Sequence, residues 1–473
     1  MKNLMGIDIG TTSLKGCVFD EKGNELASVT KSYTLITNGE RVEFPAEKYF
    51  ELFEEAYAEL SKKARIDAFA IDTQGETLIF LDKQGKPLMN AIVWLDNRAE
   101  KEARAIEKQF GLKRIYEATG QTEVPAGYPA PKVLWLKNEH PDLFEKLGKV
   151  LLLEDYLLYR ITGKFDCERS LYASTLYLDV CTGQYWQEML DFIGIDQSCL
   201  PTLHESGERV GEYKNAVVCT GALDQISGFV GSGIIAEGTV SEMTGTALAV
   251  CALAKELPPY FDGIKVSAYY VEKGKYCLLM WAPTAGMVME WYKKNFYFDA
   301  DFKRIDEEAA QIPLGAEGLT LSPNMRGSVM PVNDPELKGG AYGIDLRHTR
   351  AHFSRAIMES VACLLRRYLE YLQIPVTEVI SIGGGAKSRL WRQIKADITG
   401  KKVVTLKNKE TGCLGTAIYA GYGYGVYKDI SSAVSEIVER NDETVPKAKK
   451  EDVDTVYHRY LELEELFLQR EKL

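Results

Sequence analysis

The sequence predicts an α/β protein built of two related domains that face one cleft, and three observations predict it. Residues 5–19 read as a strand, a glycine-hydroxyl turn and a return strand; residues 240–250 repeat that unit; and 473 residues exceed what one hydrophobic core encloses. In the first unit Met5, Ile7 and Ile9 alternate with Gly6, Asp8 and Gly10, and Gly10-Thr11-Thr12-Ser13 turns the chain. Backbone N–H groups and hydroxyls in such a turn can hold a phosphate, and Asp8, one pleat earlier, is placed to bind a hydrated Mg²⁺. An ordinary edge hairpin with a surface aspartate has the same local pattern, so the second copy shifts the balance. There Gly245-Thr246 matches Gly10-Thr11, while Met243 stands where Asp8 does, so only the first unit can place a metal.

The duplicated hairpin resembles the actin-like ATPase superfamily, which includes sugar kinases and chaperone ATPases. The resemblance implies two ribonuclease-H-like domains with a catalytic cleft between them. Composition bounds the partners: 45% hydrophobic and 26% charged residues fit an ordinary globular protein, and 57 Lys+Arg against 68 Asp+Glu, a net charge of -11, speak against nucleic acid and anionic membrane. Nine scattered cysteines without a C-x-x-C argue for a reducing compartment and against structural zinc. No apolar run approaches the roughly 20 residues of a membrane span. The first strand begins almost at Met1, which leaves no room for a signal peptide, so a cytoplasmic protein is expected.

Along the chain, a turn at 21–24 leads to a third strand near 25–29. Residues 45–64 have helical spacing, with Tyr49, Phe50, Phe53, Ala56, Tyr57 and Leu60 on one broad face. A strand at 68–72 delivers Thr73-Gln74-Gly75-Glu76-Thr77 to a loop, the place where α/β domains commonly meet ligands. A strand at 78–81 follows, and an apolar strand from Ala91 then ends in Asp96-Asn97-Arg98, a pair suited to a polyol and equally to a salt bridge. A charged helix is expected at 99–112, a Gly/Pro/Thr-rich stretch at 119–131, and a buried helix from Lys132. Strands at 216–219 and 379–382 run into Gly221–Gln225 and Gly383-Gly384-Gly385, and helices follow at 389–399 and 412–417. The segment after Ser431 is charged and helical in pattern and reads as an appendage.

Residues 127–139, Gly-Tyr-Pro-Ala-Pro-Lys-Val-Leu-Trp-Leu-Lys-Asn-Glu, resemble the first signature of the FGGY carbohydrate kinases, which phosphorylate pentuloses, glycerol and related polyols from ATP. Residues 154–163 and 170–178 also resemble that family's first domain, and 339–344 with 352–359 its second signature, departing at Ala341 where a larger apolar residue is usual. The resemblance extends from residue 1 to about 430, with several motifs in the family's order. It implies Asp224 as the general base and Gln225 as a residue that holds substrate. By its position alone Asp224 reads as a helix cap or first-turn acid, where the dipole favours its carboxylate.

Phosphoryl transfer to a sugar hydroxyl needs a base, a metal, and donors that hold the phosphates in line. For the metal the sequence offers Asp8; for the phosphates, Gly10, Thr11, Thr12 and Lys15 in one loop and Gly245 with Thr246 in the other. There is no G-x-x-x-x-G-K-[ST], which excludes a P-loop kinase. Gly383, Gly384 and Gly385 resemble the family's adenosine motif, since glycines let the backbone pass close to a purine or ribose. Residues 412–417 resemble the far side of that pocket, and small residues there serve helix packing equally well. For the sugar the candidates are Gln74, Glu76, Asp96 and Gln225. Glycerol kinases carry Arg-Glu and typical xylulose kinases Met-His where this chain has Gly75-Glu76. Glu76 can accept two hydrogen bonds from vicinal hydroxyls, and Gly75 is expected to leave room for a substrate longer than glycerol.

The expectation is an ATP- and Mg²⁺-dependent kinase of a small sugar, first a pentulose such as xylulose and second glycerol or a tetritol. An actin-like ATPase without group transfer is the alternative of another class. Residues 1–235 are expected to carry sugar and base, 236–430 the nucleotide and 431–473 the appendage, with the domains joined near 234–239. Homodimers are common among such kinases, though no segment here marks an interface.

Overall fold

The computed structural model describes residues 1–469. Its first hairpin pairs β1 (Asn3–Ile9) antiparallel with β2 (Ser13–Asp20), with β3 (Glu25–Ser32) alongside β2 and β4 (Ala68–Thr73) parallel to β1. With β5 (Arg209–Tyr213) and β6 (Ala216–Cys219) they form a six-stranded sheet of order β5-β6-β4-β1-β2-β3. The second hairpin, β7 (Thr239–Thr244) and β8 (Leu248–Ala254), seeds a seven-stranded sheet with β9 (Ser267–Glu272), β10 (Lys275–Ala282), β11 (Glu378–Ile382), β12 (Lys402–Leu406) and β13 (Arg440–Thr444). Its order is β9-β10-β8-β7-β11-β12-β13. In both sheets the first strand of the hairpin lies between its antiparallel partner and a parallel strand, β4 or β11. The duplication read from two short motifs is therefore a duplication of topology.

The helices that matter below are α1 (Ala46–Lys63), α2 (Pro129–Glu139), α3 (Leu153–Thr162), α4 (Asp224–Gly231), α5 (Arg350–Tyr371), α6 (Arg389–Thr399), α7 (Thr411–Tyr424) and α8 (Lys450–Leu468). Alternation along β1 decides what each face of the first sheet meets. Met5, Ile7 and Ile9 point to one face and form a core with Tyr49, Phe53, Ala56, Tyr57 and Leu60 of α1, the stripe its spacing predicts. The other face presents Leu4, Gly6, Ala68 and Ala70, and α7 lies against it. A Cβ at Gly6 would stand 2.0 Å from the carbonyl oxygen of Cys413, so only glycine admits the helix there. Thus a helix that follows the second sheet in sequence covers the first.

Three expectations change. The helix at 99–112 runs over Glu100–Thr119 through a left-handed Gly111, and the strand at Ala91 stops at Ile92, where Trp94 and Leu95 turn. The segment after Ser431 is no appendage: β13 pairs with β12 at the sheet edge, and α8 buries Val453, Tyr457, Tyr460 and Leu463. Residues 470–473 of that segment lie outside the described residues. No helix among the described residues is long and apolar enough to cross a membrane.

Candidate active site

Asp8 shares the parity of Gly6, so it faces α7: a Cβ at Gly412 would lie 2.8 Å from Asp8 Oδ2. The sheet register sets Lys15 on one side of Asp8 and Asp72 on the other. Asp72 is fully buried; its Oδ2 accepts from the Thr416 hydroxyl of α7, and its Oδ1 has no partner. Burial, and then the charge of Asp8, push the Asp72 carboxyl well above the usual range. The first turn of α7, the positive end of a 14-residue helix, meets this acidic pair.

The loop before Asp224 is pinned on all sides. Gly221 passes so close to β4 that a Cβ would stand 1.9 Å from the Ile71 carbonyl oxygen; its N–H donates to Glu154 Oε1 at 2.7 Å. Leu223 N–H donates to Ser170 Oγ at 3.0 Å. Asp224 is therefore delivered at the first residue of α4, where its Oδ1 accepts the Gln225 N–H at 2.6 Å. Burial, then the charge of Asp8, raise its carboxyl to about 8, against the opposing pull of the Gln225 N–H. The next contribution comes from Glu76, so the 73–77 loop faces the same centre. No hydrogen bond among the described residues engages the Gln225 side chain.

Glu76 adopts a left-handed backbone, φ 56°. Lys132, the first of two lysines in the 127–139 signature, sits fully buried beneath it and donates to the carbonyl oxygens of Glu76 (2.9 Å), Val93 (3.0 Å) and Ile92 (3.4 Å). Burial pulls its ammonium down to about 7. Gln74 donates to Tyr49 Oη at 3.3 Å and keeps a buried, unpartnered Oε1. Gly75 does not open room for a longer sugar: a Cβ there would point at Leu223 Cδ1 (3.0 Å) and Ser174 Oγ (3.4 Å), space already filled. Asp96 is committed elsewhere. Its two oxygens accept from Val42 N–H (2.6 Å), Arg98 N–H (3.1 Å), Arg98 Nε (2.8 Å) and Arg98 Nη2 (2.7 Å), which uses all four lone-pair sites.

Of the phosphate candidates, Gly10 closes its turn by N–H to Ser13 O at 3.0 Å, Thr11 Oγ1 accepts from Trp94 Nε1 at 3.0 Å, and Thr12 is exposed. Lys15 is paired with Glu410 at 2.5 Å and so presents no free cation. In the second sheet Gly245 and Thr246 form the β7–β8 turn, and Gly383–Gly385 leave the adjacent strand β11, packed on Thr244. The structure thus brings together Asp8, Asp224 and Glu76 in one group, and Gly245, Thr246 and the three glycines in another.

As to a metal, no group of three or more His, Cys, Asp or Glu among the described residues could enclose one. Asp8, beside an Asp72 oxygen without a partner, offers the one or two carboxylates that Mg²⁺ takes when phosphates and water complete its shell. The residues fit the ion.

Two family models match the chain: the N-terminal domain of the FGGY family of carbohydrate kinases over residues 3–233 and the C-terminal domain of that family over 244–424. The chain belongs to the FGGY family of carbohydrate kinases. It is 30% identical over 470 residues to the xylulose kinase of Bacillus subtilis (strain 168), covering 95% of this chain and 94% of that relative. Among solved structures it is similar to a ligand-bound xylulose kinase from Lactobacillus acidophilus (TM-score 0.91) and to a gluconate kinase from the same species (TM-score 0.90). Each is 25% identical, over 98% of both chains.

Sequence reasoning missed Asp72, Lys132 and Trp94. Asp72 ends an apolar strand on the parity of Asp8's neighbour, and a lysine before Val133-Leu134-Trp135-Leu136 is out of keeping with an apolar helix; both were signals. Trp94 carried none, because its bond to Thr11 spans 83 residues.

Proposed function

We propose that the protein transfers the γ-phosphate of ATP to a hydroxyl of a neutral ketopentose of the xylulose kind, in a reducing, cytoplasmic setting suited to its nine free cysteines. The observation that carries this reading is the convergence of Asp224 and Glu76 on one buried centre beside Asp8. Glu76 accepts hydrogen bonds from two sugar hydroxyls, with the Gln225 side chain alongside. Asp224 Oδ2 takes the proton of the reacting hydroxyl as its oxygen forms the new P–O bond; the bond to the β-phosphate oxygen breaks and ADP leaves. Gly10, Thr11, Thr12, Gly245 and Thr246 hold the phosphates, and Gly383–Gly385 flank the adenosine. Asp8 would hold Mg²⁺, whose charge offsets that of the phosphates. Closing the cleft expels water, so that the sugar and not water is phosphorylated.

A neutral sugar is favoured over a sugar acid because no basic side chain is free at the centre. Among the described residues Lys132 is spent on carbonyls and Arg98 on Asp96 and Glu43. A glycerol or tetritol kinase is the second reading, favoured by the filled space beside Gly75. ADP release with Mg·ATP against ketopentoses, glycerol, tetritols and gluconate, in wild type and Asp224→Ala, tests the proposal. Turnover on a ketopentose that the variant loses supports it; equal ADP release with and without every sugar would sink it.

A further inference from the structure

Beneath the two nucleotide loops lies a buried polar network that phosphoryl transfer itself does not use. Glu242 on β7 and Ser381 on β11 are register partners, and Lys395 of α6 reaches between the strands. Its Nζ lies 2.6 Å from Glu242 Oε1 and donates to Thr244 Oγ1 at 2.8 Å. The Thr244 hydroxyl donates to Glu242 Oε2 at 2.7 Å, and the Ser381 hydroxyl to Glu242 Oε1. Lys395, Glu242 and Thr244 are fully buried.

Withdrawing two charges from water is costly, and an apolar pair of similar volume often serves stability as well, so the network's distinctive output is geometric. Thr244 is the last residue of β7, directly before Gly245-Thr246. The glycine loop packs on it: a Cβ at Gly383 would lie 3.0 Å from Thr244 O, and one at Gly385 2.7 Å from Thr244 Cγ2 and 3.4 Å from Lys395 Nζ. With its hydroxyl held by Lys395 and Glu242, the threonine has one rotamer and its methyl faces Gly385. That rotamer sets the spacing of the two loops.

We propose that Lys395 is a positioning residue for the nucleotide: by holding Thr244 it keeps the 245–246 turn and the 383–385 loop at the separation that phosphates and adenosine require. The inference rests on the reading that these loops take ATP. Lys395→Met alone strands a buried Glu242 and is a poor test, so the decisive variants are Glu242→Met/Lys395→Met, which removes both charges, and Thr244→Val, which removes only the hydroxyl. Each is expected to keep the wild-type melting temperature within a few degrees and the KM for sugar. The KM for ATP and the Kd for ADP, the latter by fluorescence titration, should rise about tenfold through misplaced loops. A well-folded double variant with wild-type KM for ATP and Kd for ADP overturns the inference. Thr246→Ala, measured alongside, separates the two readings. Weaker nucleotide binding there with an unaffected double variant defeats only the role of Lys395, whereas unchanged binding there defeats the nucleotide site and the inference with it.

Discussion

Gly415 and Ser227 touch more closely than any side chain permits: a Cβ at 415 would stand 2.0 Å from the Ser227 carbonyl oxygen, and Gly231 makes the reciprocal approach to Thr411, at 1.9 Å. Helices α4 and α7 therefore cross backbone to backbone, one carrying Asp224 and the other facing Asp8. Gly415→Ala forces backbone against backbone and should cost about 3 kcal/mol or more. Chemical denaturation measures it, and a wild-type midpoint would show that the two helices separate at no cost.

Asp224→Asn should lower kcat about 10²–10⁴-fold while leaving nucleotide affinity in place. Its effect on stability has the opposite sign. The folded carboxyl titrates near 8, above its usual range, so its proton is held more tightly folded than unfolded. Its contribution to stability is greatest below pH about 4 and is lost as pH rises through about 8. The melting temperature of the variant relative to wild type should climb between pH 5 and pH 8.5; a constant difference would argue against the raised value.

The same raised carboxyl predicts a pH–rate profile. A base must be deprotonated, so kcat/KM for the sugar at subsaturating Mg·ATP should rise with pH along a limb near 8. The same profile at saturating Mg·ATP reads the limb of the nucleotide complex in place of that of the free enzyme. A profile flat from pH 6 to pH 9 under both conditions would rule out Asp224 as the base.

Trp94 offers a reporter for the phosphate role proposed for the Gly10–Ser13 turn. The residue is 36% exposed and its indole N–H donates to Thr11 Oγ1, so phosphates that claim the threonine hydroxyl must disturb it. Mg·ADP should change tryptophan emission in wild type, and Trp94→Phe should remove most of that change while retaining ADP affinity. An undiminished response in the variant would place the nucleotide elsewhere.

The hairpins, the face of α1 and the placement of Asp224 at a helix start were legible because each is written in consecutive residues or in a single period. What was not legible depends on contacts across the chain. Asp96 and Arg98 are two residues apart, yet whether the carboxylate is free turned on Val42, brought up by a different strand. Gly75 read as an absence of bulk, but which way its missing Cβ points depends on Leu223, nearly 150 residues later. Gly415 of α7 read as part of an adenosine wall or as packing, and its approach to the Ser227 carbonyl oxygen gives it a packing role against α4. The charged tail looked peripheral because β13 has every residue but one exposed, while its role lies in its backbone pairing with β12.

Because α7 closes a face of the first sheet, the order of synthesis matters for this chain. The last strand of that sheet ends at Cys219, but its cover is complete only at Tyr424, about 200 residues later. At ~5–20 residues per second the ribosome releases a half-finished layer, with Leu4, Gly6, Ala68 and Ala70 bare, for roughly 10–40 s. A nascent chain arrested after the first half should bind hydrophobic dyes and holdase chaperones, and lose that binding once α7 has emerged.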